Sequence, residues 1–374
     1  MSLIYYRILF LHLLVHGATI AVYYEPQFLF SGQSNMIGHS SDSYSIEKDN
    51  SLQRDIFNFL GDGMQEKISL RLQEAFTNGR IQNDINTVAN HEAKLVTELY
   101  NRGILGNITE PHEHAKCIFE DPSHLSCPGR QTPSPVSPSA SCGCSFGHEL
   151  VFSHTLSQTI FKNTTFTVRK VAVGGSEIYK DWYPGFGKYW DSLNSTIHNN
   201  PGDWRGFAWH QGENDVFTNR QGQDTTLFYL GNLTRFIAAV RTEIASVNPT
   251  RFLTPSDVPV AIFELGFWPQ QGQYRERVVK AQQTLVANDA NLVLIKLDDL
   301  GHSYHLEPVS LMIAGFRLAR ALTPLLDPLY NDTILDSLEI TNDEKISNGN
   351  MSKEAAADAV LSSSKLSKDN DRDG

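Results

Sequence analysis

Five short apolar segments, rich in β-branched and aromatic residues, limit what this chain can fold into more than any other feature. The segments are residues 27–30, 166–173, 205–209, 259–265 and 291–297. None of them alternates cleanly between apolar and polar residues, a pattern typical of strands that are buried on both faces. They therefore predict the strands of a central sheet.

Segments with helix-spaced apolar residues separate the predicted strands. The helical segments are residues 146–161, 187–199, 225–247, 274–287 and 308–322. Pro308 begins the last one, at a position where proline is favoured in a helix. Strands that alternate with helices form parallel sheets with helices on both faces. We therefore predict a three-layer α/β/α fold with a flavodoxin-like, doubly wound, five-stranded parallel sheet.

Two regions do not follow this alternation. Residues 41–145 form an insertion between the first two strands, with helical spacing at 87–100 and a loop rich in Pro, Ser and Cys at 128–144. Residues 338–374 are polar and rich in Ser, Asn, Asp and Lys, which predicts a disordered tail. We place the folded domain, with its insertion, at residues 22–337.

The first 21 residues have the composition of a secretory signal peptide. Arg7 precedes the apolar residues 8–15, and small residues follow, among them Ala18 and Ala21. The apolar stretch is too short to cross a bilayer permanently. No later segment is apolar over a spanning length. We therefore expect a secreted protein, or a protein of the secretory-pathway lumen, without a membrane span.

Glycosylation sequons and clustered cysteines agree with secretion. Six N-x-S/T sequons together predict a glycoprotein. Their asparagines are Asn107, Asn163, Asn194, Asn232, Asn331 and Asn350. The four cysteines, Cys117, Cys127, Cys142 and Cys144, lie in one short region. In an oxidising compartment they predict two disulfide bonds with three possible pairings. A zinc site that includes His112 and His114 is the alternative, although the spacing matches no tetrahedral signature.

The charge balance excludes one class of partner. The formal net charge is -11 and the isoelectric point is about 5.6. The chain therefore has no surplus of basic residues to neutralise a phosphate backbone. We expect that it does not bind nucleic acid.

Polar motifs follow four of the five predicted strands. In open α/β sheets, ligands bind beyond the carboxyl ends of the strands. The motifs are SGQSNM (31–36), GGS (174–176), HQGEND (210–215) and DDLGHSYH (298–305). Together they bring a serine, a glycine pair, an amide with carboxylates, and histidines to one sheet edge. Acyl transfer by serine needs these groups, because it uses a nucleophile, oxyanion donors, a base and an orienting acid.

These motifs in combination resemble the SGNH hydrolase superfamily. GQSNM, GGS-x-I followed by Trp182, HQGEND, and His305 before the last helix are similar to the sialate O-acetylesterase-like branch and to carbohydrate esterase family 6. The resemblance covers residues 24–40 and 145–325. It implies a serine carboxylic-ester hydrolase (an acetylesterase of EC 3.1.1 type) that needs no metal or organic cofactor. The implied substrate is an O-acetylated carbohydrate, either sialic acid or another acetylated sugar.

The resemblance also implies roles for residues in the first three motifs. It makes Ser34 the nucleophile, and it makes Gly175 an oxyanion-hole donor together with the Ser34 N–H. Gln211 would supply a side-chain amide to the same hole. Taken singly, the serine could be a helix N-cap and the glycine pair a turn with positive φ. The combination of motifs therefore carries the prediction.

The base and its orienting acid allow two registers. His305 aligns with the catalytic histidine of the family, but the position three residues earlier holds His302 where the family has Asp. An alternative register pairs Asp299 with His302 as the base. For the acid that orients His305, Glu213 is the first candidate and Asp299 the second. Glu213 could instead be a structural carboxylate that holds its own loop.

Two aromatic residues are candidates for substrate binding. We predict that Trp182 or Tyr183 stacks on a sugar ring, with core packing as the alternative for the tryptophan. An anionic sugar would require a nearby cation, for which Lys180 is the candidate. Two other functions remain open at this point. One is a catalytically weak or inactive carbohydrate-binding member of the same fold, and the other is a lipid or short-chain esterase, which the absence of GDSL disfavours.

Overall fold

The computed structural model describes residues 24–37, 114–120, 122–123, 130–135, 147–200, 202–217, 224–266, 272–298, 300, 305–306 and 308–329. The sheet and its helices lie in the first of two compact units, Met1–Pro328. Only Leu329 is described in the second unit, Leu329–Gly374. The predicted signal peptide, the predicted helix at 87–100 and the predicted tail at 338–374 lie outside the described residues.

Seven strands form one sheet in the described part of the chain. They are β1 (Pro26–Gly32), β2 (Ala115–Glu120), β3 (Arg130–Pro135), β4 (Phe166–Ala172), β5 (Asp203–His210), β6 (Val260–Phe263) and β7 (Leu292–Ile295). Their order is β3-β2-β4-β1-β5-β6-β7. β3 runs antiparallel to β2, and all other neighbours are parallel. The predicted α/β fold is therefore confirmed, and β4-β1-β5-β6-β7 has the doubly wound order.

The sheet is wider than the five strands predicted from the sequence. The insertion 41–145 contributes β2 and β3, which extend the sheet beyond β4. The apolar run of β2 is short, at residues 117–119, so its pattern is weak. β3 contains Pro133 and Pro135 within a segment predicted as a loop. Proline is tolerated there because an edge strand leaves one row of N–H groups without a ladder partner.

Eight α-helices are present in the described residues. They are α1 (Ser34–Ile37), α2 (Glu149–Gln158), α3 (Ile178–Asp181), α4 (Trp190–Asn199), α5 (Glu213–Phe217), α6 (Tyr229–Val247), α7 (Gly272–Ala287) and α8 (Pro308–Leu326). On one face of the sheet, Phe152 of α2 packs edge-on against Phe28 and Phe30, with ring centroids 5.1 Å apart in each pair. On the other face, α3, α4, α6 and α7 contribute to a core that includes Trp182, Trp209 and Phe236.

The carboxyl ends of the central strands meet closely at Gly32. This glycine has φ +147°, and a Cβ there would lie 2.0 Å from the His210 carbonyl oxygen. The Gln33 N–H donates to that same oxygen at 3.0 Å, and the Val173 N–H donates to the Gly32 oxygen at 3.0 Å. The residues that follow β1, β4 and β5 are thereby joined at one edge of the sheet.

One of the four cysteines lies among the described residues. Cys117 is buried on β2 with 2% exposure, whereas Cys127, Cys142 and Cys144 lie outside the described residues. The disulfide pairing therefore stays a prediction. Within the described part of the chain, none of the helices combines the length and the hydropathy that crossing a membrane requires.

Candidate active site

Ser34 lies at the start of α1, directly after the strand end that Gly32 allows to approach β5. The residue is 4% exposed. Its Oγ is buried and has no hydrogen-bond partner among the described residues. Buried polar atoms are nearly always paired, so an unpaired hydroxyl at a strand-to-helix turn is a mark of a functional position. The structure thus places the predicted nucleophile where its hydroxyl is not committed to the fold.

Glu213 holds both neighbours of Ser34. The Gln33 side-chain amide donates to Glu213 Oε2, and Asn35 Nδ2 donates to Glu213 Oε1 at 2.6 Å. Glu213 is 1% exposed. Burial raises the pKa of its carboxyl group to about 7, while the amide donors act in the opposite direction. The contacts of Glu213 with described residues therefore hold the turn that carries Ser34, which corresponds to the structural alternative for this carboxylate.

Two buried histidines lie behind Glu213. His148 Nε2 is 2.7 Å from His210 Nδ1, and His210 Nε2 is 3.5 Å from Glu213 Oε1. Burial lowers the pKa of His210 to about 3 and that of His148 well below its usual value, so both rings are neutral. A consistent tautomer has the proton of each ring on Nε2, with His148 donating to His210 and His210 facing the carboxylate.

The segment that contains His305 reaches the same turn through the next residue. The Leu306 N–H donates to Asn35 Oδ1 at 2.9 Å, so one amide side chain joins Glu213 to the start of the last helical segment. His305 itself is partly buried. Because Ser34 Oγ has no hydrogen-bond partner among the described residues, it is not hydrogen-bonded to the His305 ring in this conformation. Asp299 and His302 lie outside the described residues.

The two predicted oxyanion donors occupy different environments. Gly175 is exposed with φ +69°, a left-handed conformation in which a Cβ would meet nothing within 4 Å. Gln211 is fully buried, and its Nε2 donates to the Ser176 oxygen at 3.0 Å and to the Asp215 carboxylate. Since an amide nitrogen has two protons, Gln211 must exchange one of these contacts to donate to an oxyanion. Both residues remain predicted donors.

Comparison with protein-family models identifies the chain. Residues 114–324, more than half of its length, match the model of a family described as "Carbohydrate esterase, sialic acid-specific acetylesterase". The chain belongs to this family. It is therefore an acetylesterase, as the motifs predicted. The matched residues begin after Ser34, so the family match does not test the predicted role of this serine.

The acetylesterase also has similarities to solved structures. A protein from Arabidopsis thaliana is 17% identical, with 80% of this chain and 97% of that chain covered and a TM-score of 0.49. A carbohydrate acetylesterase from Xanthomonas citri is 14% identical, with 80% and 56% covered and a TM-score of 0.47. A mutant of an acetyl-xylooligosaccharide esterase from Geobacillus is 13% identical, with 59% and 96% covered and a TM-score of 0.35. A search of curated proteins found no match.

The structure of the esterase corrects the expectation for Trp182. Its side chain is 0% exposed, and its ring packs among Tyr189, Trp209 and Phe236. The indole N–H donates to Ser176 Oγ at 2.8 Å. A ring that is covered on all sides cannot stack on a sugar, so Trp182 is a core residue. Tyr183, the other candidate, is partly exposed.

Several residues of the acetylesterase site carried no assigned role in the sequence analysis. Gln33, Asn35 and His210 stood inside recognised motifs, but their letters alone do not show that they converge on Glu213. His148 lies outside every motif, and only the packing of α2 against the sheet brings it to His210. Tyr179 and Phe186 are exposed aromatic residues beside Tyr183. Their closeness to Tyr183 in the chain could have added them to the candidates for substrate binding.

Proposed function

We propose that this acetylesterase releases acetate from an O-acetylated carbohydrate through an acetyl-enzyme intermediate on Ser34. The Ser34 Oγ attacks the acetyl carbonyl carbon while His305 takes the hydroxyl proton. That proton passes to the sugar oxygen as the ester C–O bond breaks. Water, deprotonated by His305, then attacks the acetyl carbon, the bond from that carbon to Ser34 Oγ breaks, and His305 returns the proton to Ser34 Oγ as acetate leaves. The N–H groups of Ser34 and Gly175, with the Gln211 amide, are the proposed oxyanion donors.

The unpaired hydroxyl of Ser34 is the observation that carries the proposal. Leaving a buried hydroxyl without a partner costs about 1–3 kcal/mol. Ser31 also has an unpaired buried hydroxyl, but it lies within β1, whereas Ser34 lies at the turn that follows the carboxyl end of that strand. At this turn, the amides on both sides of Ser34 are fixed by Glu213 while the hydroxyl between them stays available. This arrangement supports a reactive group in a rigid turn.

The proposal divides the two carboxylate candidates between two tasks. Both oxygens of Glu213 accept amide donors from the turn, which supports a positioning role for this residue. Asp299 then becomes the candidate for orienting the base. Comparing the His305→Ala and His302→Ala variants tests the register, because the larger loss of kcat identifies the base. A larger loss at His302 would favour the alternative pairing of Asp299 with His302.

Two neighbouring serines provide a matched test of the nucleophile. Ser31 and Ser34 both have buried hydroxyl groups without a partner among the described residues, so alanine at either position removes no hydrogen bond from the described fold. We expect Ser34→Ala to lower kcat by about 10⁴-fold or more for a chromogenic acetyl ester, and Ser31→Ala to leave kcat within about threefold. A fluorophosphonate probe should label wild type and Ser31→Ala at Ser34, as peptide mass spectrometry would show.

The other functions predict different outcomes of the same experiment. Probe labelling at another residue, or equal activity of the two serine variants, contradicts the proposed nucleophile. A wild-type protein that hydrolyses no acetyl ester is instead a binding member of the fold. A preference for long acyl chains over acetyl identifies a lipid esterase.

We also propose that the enzyme is secreted and glycosylated. The predicted signal peptide supports this, as does the sequon at Asn163, which lies exposed in the turn that follows α2, with φ +59°. Expression in a secreting eukaryotic host should yield a mature chain that begins after Ala21. Enzymatic deglycosylation should increase its gel mobility, and Asn163→Gln should remove part of that shift. Retention of residues 1–21, or no shift, contradicts the proposal.

A further inference from the structure

Three aromatic side chains form an exposed cluster beside the sheet edge that carries the candidate active site. We call Tyr179, Tyr183 and Phe186 the aromatic platform. The Tyr183 and Phe186 rings are stacked with centroids 4.3 Å apart, and Tyr179 meets them edge-on at 5.4 and 5.5 Å. Tyr179 is 55% exposed and Phe186 is 60% exposed. The cluster therefore presents ring surface to solvent although its members already contact one another.

The backbone beneath the platform is tied to itself. The Gly187 N–H donates to the Tyr183 oxygen and the Tyr189 N–H to the Asp181 oxygen, both at 2.7 Å. A Cβ at Gly187 would lie 2.4 Å from the Tyr183 nitrogen, so the turn closes tightly. Trp182, between Tyr179 and Tyr183 along the chain, is anchored in the core. The rings are therefore exposed on a rigid surface, and this surface loses little conformational entropy when a ligand binds.

The platform is attached to the loop that carries the predicted oxyanion donor. Tyr179 is four residues after Gly175. Ser176, between them, accepts the Trp182 indole N–H on its Oγ at 2.8 Å and the Gln211 amide on its carbonyl oxygen at 3.0 Å. Four residues of chain span at most about 14 Å, so a molecule whose ester lies beside Gly175 can extend over the platform within a few sugar units.

The surroundings of the rings indicate the chemistry of the occupant. The Arg235 guanidinium lies 5.3 Å from the Tyr183 ring centroid, and Lys180 and Lys188 are adjacent because the Lys188 N–H donates to the Lys180 oxygen at 3.3 Å. Lys180 also lies 3.9 Å from Glu177. Flat apolar faces bordered by hydrogen-bond donors match a sugar, which has an apolar C–H face and hydroxyl groups around its rim.

The size of the platform argues against a protein partner. A large aromatic side chain has about 150–250 Å² to bury, so three partly exposed rings offer only a few hundred Å². A stable protein interface buries about 1,200–2,000 Å² in total. The area suits one or two sugar rings, and the chain belongs to a family of carbohydrate esterases.

We propose that the aromatic platform is a subsite for the oligosaccharide chain that carries the acetylated sugar. This inference rests on the proposed function, because it assigns the same substrate a second point of contact. The platform binds sugar units outside the reacting ester, so it lowers KM for acetylated oligosaccharides and does not act on small acetyl esters.

The test compares substrates with and without a glycan chain. The double variant Tyr179→Ala, Phe186→Ala removes the two most exposed rings, and Tyr24→Ala is the matched control. Tyr24 is 52% exposed but precedes β1, at the opposite edge of the sheet. For the double variant, we expect KM for partially acetylated xylotetraose to rise about tenfold, with kcat within twofold. Both constants for a chromogenic aryl acetate should stay within twofold, and Tyr24→Ala should resemble wild type.

The outcomes separate this inference from the proposed function. An unchanged KM for the oligosaccharide, or an equal rise for the aryl acetate, overturns the platform and leaves the proposed function intact. If wild type hydrolyses neither substrate, the proposed function fails. In that case, calorimetry with deacetylated xylotetraose tests the platform. The wild type should bind this oligosaccharide, and the double variant should lose binding without a change in melting temperature. Equal binding, or no binding by wild type, overturns the platform.

Discussion

The turn at residues 33–35, which carries Ser34, and the aromatic platform lie near the same sheet edge. They depart from the usual burial pattern in opposite directions. At the turn, polar side chains are buried, with Gln33, Asn35 and Glu213 at most 3% exposed. At the platform, aromatic rings are exposed although apolar residues normally lie inside. If both proposals hold, buried polar groups fix the geometry of the reaction, whereas exposed rings make contacts that a substrate completes.

The two regions also differ in what holds them. The turn depends on side-chain hydrogen bonds to a single carboxylate, whose loss would remove an acceptor from two buried amide groups. The platform depends on backbone hydrogen bonds and on the buried Trp182, so its exposed rings can be removed without disturbing the fold. Substitutions at the turn should therefore cost more than substitutions at the platform.

Two glycines with positive φ should show the largest difference between the regions. Gly32→Ala places a Cβ 2.0 Å from the His210 oxygen, so we expect a loss of about 4 kcal/mol or more in unfolding free energy, or no soluble protein. Gly175→Ala meets open space and should lose about 1–2 kcal/mol for its left-handed backbone. Chemical denaturation measures both, and equal losses would contradict the close approach at Gly32.

Removing the Glu213 carboxylate should lower kcat by about 100-fold, because the released Gln33 and Asn35 amides no longer hold Ser34 in place. The variant is Glu213→Ala, measured on an aryl acetate. The matched control is Glu264→Ala, which removes a buried carboxyl group that accepts from Gln283 instead of from the turn. If both variants lose activity equally, Glu213 has no special role in positioning.

The buried Asp215 should make stability fall as pH rises. Burial raises the pKa of its carboxyl group from 3.8 to about 7. A raised pKa means that the folded state keeps the proton longer than the unfolded state, so the added stability is complete below pH 3.8 and is lost as pH rises through 7. Between pH 5.5 and 8.5, wild type should lose about 2 kcal/mol relative to Asp215→Asn. Parallel stability curves for the two proteins would refute this.

The smallest effect should come from the residue that links the two regions. Trp182→Phe keeps most of the buried ring and removes the N–H that donates to Ser176 Oγ, which should cost about 1 kcal/mol of stability. We also expect KM for acetylated xylotetraose to rise two- to threefold, since the platform loses part of its anchor. If only the kinetic constants for the aryl acetate changed, Trp182 would support the candidate active site and not the platform.

The order and type of the main elements could be predicted because they depend on local patterns. The apolar runs that became β1, β4, β5, β6 and β7 are readable without neighbours, since a strand buried on both faces needs apolar residues throughout. β2 and β3 were missed because the short apolar run at 117–119 is recognisable as a strand only beside β4, and the proline-containing β3 only beside β2. The motifs likewise marked the edge but not the contacts within it.

Residue types at short separations were enough to predict the layered α/β architecture and the sheet edge where the candidate site residues meet, because apolar runs and polar motifs can be recognised without their neighbours in space. The packing of the folded chain was needed to show that Trp182 is a core residue whereas the adjacent Tyr183 is partly exposed. The fold also pairs Glu213 with the amides on both sides of Ser34, and His148 with His210. Burial and hydrogen bonding depend on residues that are distant in the chain, here up to 271 positions apart for Asn35 and Leu306.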